Sequence, residues 1–259
     1  MSKFVFGTAS LFNVGGSSQR RDLLAAAVDN GFTHFDTAPY YGFGIAERDL
    51  APVLKRHPDV TVTTKVGIYS PGGEAQPAAT VFLRKAAGRI LKPISRPTID
   101  FSLSRAQTAL EGSLRRLGRD MIDIYMLHEP ELALIETEEW HRWLENLVEQ
   151  GKVRTFGLAL TEDRLLPFLD NASPLCRVVQ MADSLSTREA DILPMRGKPL
   201  QITYGYVTAE RRKGLGSSVE NILKAALRRN ADGAVIVSTT KVSRLPQYSE
   251  LCAETDVDL

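Results

Sequence analysis

Cysteine, excess charge and long apolar runs are all scarce in this 259-residue sequence. Its two cysteines, Cys176 and Cys252, are far apart and have no cysteine or histidine nearby at metal-ligand spacing, so we predict reduced thiols and no metal site. The net charge is only +1, from 32 basic and 31 acidic residues, which gives no global field to attract nucleic acid or an anionic membrane. Small molecules are therefore the expected partners.

Membrane and secretion signals are missing as well. No stretch of the sequence reaches the roughly 18 apolar residues of a membrane span. The first residues also lack the apolar run of a signal peptide, so we expect a cytoplasmic protein. Hydrophobic residues make up 43% of the chain and charged residues 24%, which is close to ordinary globular usage and allows a sizeable core.

Short β-rich runs alternate with longer amphipathic runs along nearly the whole sequence, which predicts strand-helix units and a parallel sheet. The predicted strands are residues 4–9, 33–37, 60–66, 121–128, 153–160, 177–182, 201–207 and 234–239. A predicted helix follows each of them. Eight such units in ~250 residues are typical of a closed (β/α)₈ TIM barrel, although an open doubly wound sheet has a similar length. We predict the barrel, as a single α/β domain over residues 1–259.

The predicted helix ends carry matching local signals. Ser104 with Gln107, and Ser217 with Glu220, have the spacing of a capping box at a helix N-terminus. Glycines stand where three of the predicted helices should stop, at Gly31, Gly118 and Gly151. Local signals and hydrophobic pattern therefore indicate the same elements.

One connection is much longer than the others. The stretch from residue 67 to residue 100 separates the third predicted strand from the next helix, whereas such loops usually have about 2 to 6 residues. We call residues 68–100 the basic insertion, because between Glu74 and Asp100 it contains no acidic residue but holds Arg84, Lys85, Arg89, Lys92 and Arg96. Two interpretations stay open: a solvated surface flap, or a lid that favours an anionic substrate or a cofactor phosphate.

Four polar side chains stand at, or just after, the carboxyl ends of successive predicted strands: Asp36, Tyr41, Lys65 and His128. We call these four residues the tetrad. In a barrel these strand ends converge on one pocket. A nearby ammonium group favours the ionised form of a tyrosine, so Lys65 could tune Tyr41 as a proton donor and acceptor while Asp36 orients Lys65. His128 could hydrogen-bond a substrate carbonyl oxygen. The set predicts carbonyl reduction.

These residues lie in segments that resemble the aldo-keto reductase family. Residues 31–42, with the sequence Gly-Phe-Thr-His-Phe-Asp-Thr-Ala-Pro-Tyr-Tyr-Gly, and the following Gly-Ile-Ala-Glu at 44–47 resemble the family's signature around its catalytic aspartate and tyrosine. Thr-Lys-Val-Gly at 64–67 and Leu-His-Glu-Pro at 127–130 resemble its lysine and histidine motifs. The resemblance implies the same barrel fold. It also implies reversible hydride transfer between a nicotinamide cofactor and an aldehyde, ketone or sugar carbonyl. Tyr41 is selected over Tyr40 because the family's tyrosine directly precedes a glycine.

Signals for phosphate binding are found late in the sequence. No Gly-x-Gly-x-x-Gly motif follows the first predicted strand, which counts against a Rossmann dinucleotide site. Residues 213–218 follow the seventh strand and open a helix, so the helix end around Ser217 could hold pyrophosphate or be a plain N-cap. The loop after the eighth strand offers a second anion site, which comprises Ser238, Thr239, Thr240, Lys241 and Arg244.

The family resemblance assigns further cofactor contacts. It implies that the loop after the eighth strand binds the adenosine phosphate end, where Lys241 and Arg244 could pair with a 2′-phosphate, so we predict NADP in preference to NAD. It also implies a carboxamide-binding role for Gln180 and stacking of Tyr204 under nicotinamide. Thr8, in the first matching segment Gly7-Thr8-Ala9, is the remaining predicted cofactor residue.

The sequence departs from the family pattern at one place. Ala159 and Leu160 stand where a Ser-Asn pair normally anchors the carboxamide, and neither side chain can form a hydrogen bond. Two alternatives to an NADP-dependent reductase therefore remain. One is an NAD-dependent sugar or pyridoxal-type dehydrogenase of the same family, because the segment at 36–42 with the following Gly-Ile-Ala-Glu also resembles such enzymes and the tetrad does not encode the direction of the reaction. The other is a barrel that binds nucleotide or a partner without turnover. No sequence feature indicates an oligomeric state.

Overall fold

The computed structural model describes residues 3–74, 76, 96–214 and 217–257, without the side chains of residues 255–257. The strands in this part of the chain are β1 (Phe4–Gly7), β2 (His34–Asp36), β3 (Thr61–Val66), β4 (Ile68–Tyr69), β5 (Thr98–Ile99), β6 (Ile122–His128), β7 (Val153–Leu160), β8 (Val178–Ala182), β9 (Ile202–Tyr204) and β10 (Ala234–Val237). All except β4 and β5 close into a barrel in the order β1-β10-β9-β8-β7-β6-β3-β2. The closed (β/α)₈ prediction is confirmed, because β1 pairs in parallel with both β2 and β10.

The α-helices of the described residues surround this barrel. They are α1 (Ser17–Asp29), α2 (Ile45–Arg56), α3 (Leu103–Leu117), α4 (Thr137–Glu149), α5 (Glu162–Asp170), α6 (Tyr206–Arg212), α7 (Val219–Arg229) and α8 (Leu245–Val257). Apolar side chains recur on one face of each amphipathic helix and meet the outward side chains of the strands. Leu110, Leu144 and Leu223 are examples that are buried in this outer core layer.

The barrel interior is a separate and smaller apolar layer. Side chains alternate between the two sides of a strand, so every second residue faces inward. Ile124, Met126, Ala159 and Ile202 form a cluster of their own there. One step further towards the carboxyl ends, the same parity replaces apolar residues with polar ones, as in Met126 followed by His128 on β6. The polar end of the barrel is therefore the place to look for a site.

The structure corrects the prediction in two regions, at the end of β9 and after β8. The predicted strand over residues 201–207 ends at Tyr204, because Gly205 adopts φ 102° and α6 starts at Tyr206. No α-helix follows β8 among the described residues; two short 3₁₀ segments, Glu189–Ile192 and Pro194–Arg196, stand there instead. Pro194 begins the second of these segments, and proline disrupts the hydrogen bonding of a longer helix.

The predicted caps are shifted by one or two residues, whereas the predicted stops are confirmed. Ser102, not Ser104, is the N-cap of α3. Ser218, not Ser217, is the N-cap of α7, and its hydroxyl oxygen accepts a hydrogen bond from the Asn221 backbone amide at 3.2 Å. The three predicted stop glycines all adopt positive φ at helix ends, as C-terminal caps require: Gly31, Gly118 and Gly151.

The two ends of the basic insertion pair with each other. Ile68–Tyr69 and Thr98–Ile99 form a small antiparallel ladder beside the barrel. Residues 75 and 77–95 lie outside the described part of the chain, and the lid hypothesis with Arg84, Lys85, Arg89 and Lys92 falls there and stays a prediction. Among the residues that the structure does describe, no helix is long and apolar enough to span a membrane.

Candidate active site

The predicted tetrad comes together because neighbouring strands end at the same height. Gly7 pairs with Asp36 across β1 and β2, and Asp36 pairs with Thr63 across β2 and β3. Lys65 pairs with Met126 of β6, two residues before His128. The shared inward parity of Asp36, Lys65 and His128 then directs their side chains into one volume.

Tyr41 reaches this volume from the loop between β2 and α2. The loop turns sharply, with positive φ at Gly42 (62°), Phe43 (60°) and Gly44 (78°). A positive φ is unusual for phenylalanine, and such strain is often found at functional sites. The backbone N–H of Tyr41 donates to the Ala38 carbonyl at 3.0 Å, which fixes the start of the turn.

Lys65 holds the tetrad together. Its Nζ atom donates to Asp36 Oδ2 at 2.6 Å, to the Thr37 carbonyl at 3.1 Å and to the Tyr41 hydroxyl at 3.5 Å. The side chain is only 1% exposed, so its charge depends on Asp36 for compensation. Burial lowers the pKa of Lys65, and the neighbouring Asp36 carboxylate opposes that shift.

The protonation state of Tyr41 differs from the expectation. We expected Lys65 to favour the phenolate, but the pKa of Tyr41 is raised well above its usual value, first by burial and then by the negative charges of Asp36 and Glu129. In this pocket the desolvation cost of a phenolate exceeds the attraction of the ammonium group. Tyr41 is therefore a protonated hydrogen-bond donor, which suits a general acid.

His128 faces Tyr41 as a neutral imidazole. The two ring centroids are 6.0 Å apart in a T-shaped arrangement. Burial, with a further effect from Lys65, lowers the pKa of His128 to about 3. Its Nδ1 atom is buried and has no hydrogen-bond partner among the described residues. A neutral histidine offers one N–H group, which could be donated to a carbonyl oxygen.

A cavity of about 460 Å³ opens above these side chains. Its walls include all four tetrad residues together with Gln180 and Tyr204. Gln180 is 4% exposed, and its Oε1 acceptor is buried without a partner among the described residues. A buried acceptor of this kind fits the amide hydrogens of a nicotinamide carboxamide, so the residues present are compatible with the implied cofactor.

The other predicted cofactor residues divide into two groups. Ser238 and Arg244 line the cavity. Ser217, Thr240 and Lys241 are exposed and are not among the lining residues. Two more have structural bonds instead and also do not line the cavity: Thr8 Oγ1 donates to the Asp36 carbonyl at 3.0 Å, and Thr239 Oγ1 accepts from the Lys241 amide at 3.0 Å. Of the phosphate-binding motif at 213–218, residues 215 and 216 lie outside the described range.

Ala159 and Leu160, which replace the family's Ser-Asn pair, occupy different places: only Ala159 faces the cavity. Ala159 lines it and pairs with Gln180 in the β7-β8 ladder. Leu160 is fully buried in the outer core layer, on the other side of the sheet. Compared with the family pattern, the cavity wall therefore lacks one hydrogen-bonding side chain, at residue 159, whereas the change at residue 160 does not affect the wall.

Two charged residues that line the cavity received no role from the sequence. Glu129 lines the cavity beside His128 with φ 51°, and Arg211 of α6 also lines it. Glu129 stood within the quoted histidine motif, and a charged residue next to a predicted catalytic one was a usable signal. Arg211 offered none, because the predicted strand ran past the true start of α6.

Comparison with known proteins agrees with this architecture. The family model for the aldo/keto reductase family matches residues 3–166, more than half of the chain. The chain is 31% identical over 140 residues to a 6-dehydroglucose reductase of Agrobacterium fabrum (strain C58 / ATCC 33970). The alignment covers 52% of this chain and 41% of that protein. The chain is 28% identical over 240 residues to an NADH-specific methylglyoxal reductase of Escherichia coli (strain K12), covering 90% and 69%.

A solved structure shows the same fold. An aldo-keto reductase from Klebsiella pneumoniae in complex with NADPH superposes with a TM-score of 0.66 at 20% identity, covering 98% of this chain and 90% of that one. The protein belongs to the aldo/keto reductase family. Its matched part spans about half the length of several curated relatives, with 41%, 49% and 46% of three of them covered.

Proposed function

We propose that this protein is an NADP-dependent aldo-keto reductase that acts on a small aldehyde, ketone or sugar carbonyl. The observation that supports it most is the position of Lys65 Nζ, 2.6 Å from Asp36 Oδ2 and 3.5 Å from the Tyr41 hydroxyl, in the floor of the cavity. A protonated phenol beside a buried ammonium group is suited to give a proton to a carbonyl oxygen.

In this proposal each tetrad residue has one task. A bound nicotinamide cofactor supplies hydride to the carbonyl carbon. Tyr41 donates its hydroxyl proton to the carbonyl oxygen, and the Lys65 ammonium stabilises the phenolate that remains. Asp36 keeps Lys65 charged and oriented. The neutral His128 donates a hydrogen bond to the same oxygen and polarises the carbonyl.

The cofactor would be held by residues at two places in the cavity. Gln180 would bind the carboxamide through its unpaired Oε1 acceptor, and Tyr204 would stack against the nicotinamide ring. Ser238 and Arg244 would contact the phosphate end, with Lys241 three residues before Arg244. A 2′-phosphate would gain most from these cations, which supports NADP, and the NADPH complex of the structural relative agrees.

Tyr41→Phe tests the proposal. The variant removes only the hydroxyl, so we expect NADPH oxidation with a panel of aldehydes to fall by at least about a hundredfold, the usual loss on removing a general acid. Tyr40→Phe is the matched control, because it makes the same change at the neighbouring position and should retain activity. Undiminished turnover in Tyr41→Phe would refute the assignment. Cofactor binding without turnover of any carbonyl would favour the non-catalytic barrel.

A second candidate is an NAD-dependent dehydrogenase or reductase with the same tetrad. The NADH-specific relative, which is similar over 90% of this chain, favours it. Fluorescence titration with NADPH and NADH separates the two candidates. Tighter NADPH binding that is lost in Lys241→Ala and Arg244→Ala supports NADP, and equal or tighter NADH binding supports the alternative.

A further inference from the structure

Glu129 combines backbone strain with a position in the cavity wall. It directly follows His128 and adopts φ 51°, although it is not a glycine. Its backbone N–H donates to the Ala159 carbonyl at 2.7 Å, which ties the strained residue to the end of β7. Strain of this kind costs free energy and persists where the surrounding structure holds a side chain in a required place.

The Glu129 carboxylate is held in place by Thr161 and forms one long ion pair with Arg164. Glu129 Oε2 accepts from the backbone N–H of Thr161 at 3.3 Å and from its hydroxyl at 3.5 Å. The Nε atom of Arg164 lies 3.8 Å from Oε2, and the Nη2 atom of the same arginine pairs with Glu131 at 3.1 Å. Arg164 therefore divides its charge between two acids and compensates Glu129 only in part. Burial raises the pKa of Glu129, and the Thr161 amide and Arg164 oppose that shift.

Glu129 is the less compensated of the two acids that line the cavity in the described part of the chain. Asp36 is the second acidic lining residue, and Lys65 neutralises it at 2.6 Å. Two cations also line the cavity, Arg211 from α6 and Arg244 after β10. The effect of Glu129 reaches the proposed chemistry, since its negative charge raises the pKa of both Tyr41 and Tyr204.

We infer that Glu129 determines substrate specificity, by accepting a hydrogen bond from a hydroxyl group near the reacting carbonyl and by repelling carbonyl compounds that carry a carboxylate. The preferred substrate class is a neutral, hydroxylated aldehyde or ketone. This inference rests on the proposed function, because it places the reacting carbonyl beside Tyr41 and His128. A carboxylate in a partly desolvated wall attracts hydroxyl donors and repels anions more strongly than it would in water.

Two pairs of aldehydes test the inference at neutral pH with saturating NADPH. Glyceraldehyde and propanal share a three-carbon skeleton and differ in hydroxyl groups, whereas butanal and succinic semialdehyde share four carbons and differ in a carboxylate. We expect wild-type kcat/KM to favour glyceraldehyde in the first pair and butanal in the second. In Glu129→Gln each preference should shrink by about three- to tenfold, the range expected for losing one charge-assisted contact.

Glu138→Gln is the matched control, because Glu138 is an exposed glutamate that does not line the cavity, and the same change there should leave both ratios unchanged. Glu129→Asn is a second variant, since asparagine adopts positive φ readily and should fold even if glutamine is poorly accommodated. Ratios in both Glu129 variants equal to wild type, or rates that fall in parallel for all four aldehydes, would overturn the inference alone. A wild-type protein that reduces none of the four would overturn the proposed function with it.

Discussion

Lys65 Nζ lies 2.6 Å from Asp36 Oδ2 at the polar end of the barrel, and the two side chains are 1% and 6% exposed. Both groups are largely removed from solvent, so each depends on the other for charge compensation. A buried ion pair contributes little net stability, but the loss of one partner leaves an uncompensated charge. The pair can therefore be tested separately from catalysis.

We expect Asp36→Asn to lower the free energy of unfolding by about 3 to 5 kcal/mol at neutral pH, because Lys65 then stays buried without a counter-charge. Urea denaturation followed by circular dichroism measures the change. The double variant Asp36→Asn with Lys65→Met removes both charges and should recover most of the loss. An equal loss in the single and double variants would show that the charge of Lys65 is not responsible.

Stability should also fall in mild acid, because two histidines are buried in neutral form. Burial lowers the pKa of both His34 and His128 to about 3. The unfolded chain takes up these protons near pH ~6.5, so between that pH and about 3 it binds more protons than the folded state. Each histidine should then reduce stability by about 1.4 kcal/mol for every pH unit of acidification.

A comparison at His34 isolates this effect. His34 hydrogen-bonds the hydroxyls of Thr61 and Thr63 at 2.6 and 2.7 Å, and glutamine is able to retain such bonds without titrating. In urea melts between pH ~5 and ~6.5, a window above most carboxylate titrations, His34→Gln should show about half of the wild-type slope. An unchanged slope would contradict the low pKa of His34.

Gly157→Ala should disrupt the contact between β7 and β8. A Cβ atom at this position would lie 1.8 Å from the Val178 carbonyl oxygen and 2.6 Å from its carbon, and backbone cannot move aside as a flexible side chain does. We expect a stability loss of about 3 kcal/mol or more, at the upper end for overpacking. Gly16→Ala is the control, since nothing lies within 4 Å of its added Cβ, and equal losses in thermal melts would contradict the clash.

Ala159→Ser would restore one hydrogen-bonding group to the cavity wall beside Gln180. If the carboxamide of NADPH lies there, the hydroxyl should tighten NADPH binding by about three- to tenfold, the value of one ordinary hydrogen bond. Fluorescence titration measures the dissociation constant. Leu160→Asn should instead destabilise the protein without tightening binding, because Leu160 packs in the outer core. An unchanged dissociation constant in Ala159→Ser would place the carboxamide elsewhere.

Much of this architecture follows from local patterns. The alternation of strands and helices predicted eight barrel strands, and each is present with ends that differ by a few residues. The prediction was wrong after β8, where we expected an amphipathic helix and the structure has two 3₁₀ segments. It also extended β9 past Gly205, since Tyr206 and Val207 have the composition of a strand and only their packing makes them helical.

In the candidate site, too, the local features could be predicted from the sequence and the features that depend on packing could not. The strand periodicity placed Asp36, Lys65 and His128 on the inward side of the barrel, since parity along a strand is a local property. The protonated state of Tyr41 could not be read in that way. Its pKa depends on burial and on the charges of Asp36 and Glu129, whose distances are set by packing between strands.

The amino-acid sequence alone determined the order of the barrel strands, the four residues predicted to meet at their carboxyl ends and the family to which the chain belongs, because these depend on spacing along the chain. Only the tertiary structure decided which predicted cofactor residues line the cavity, that Ala159 faces it while Leu160 does not, and that Glu129 brings a negative charge to its wall. Those facts depend on the register between strands and on desolvation in the closed barrel, which sequence spacing does not encode.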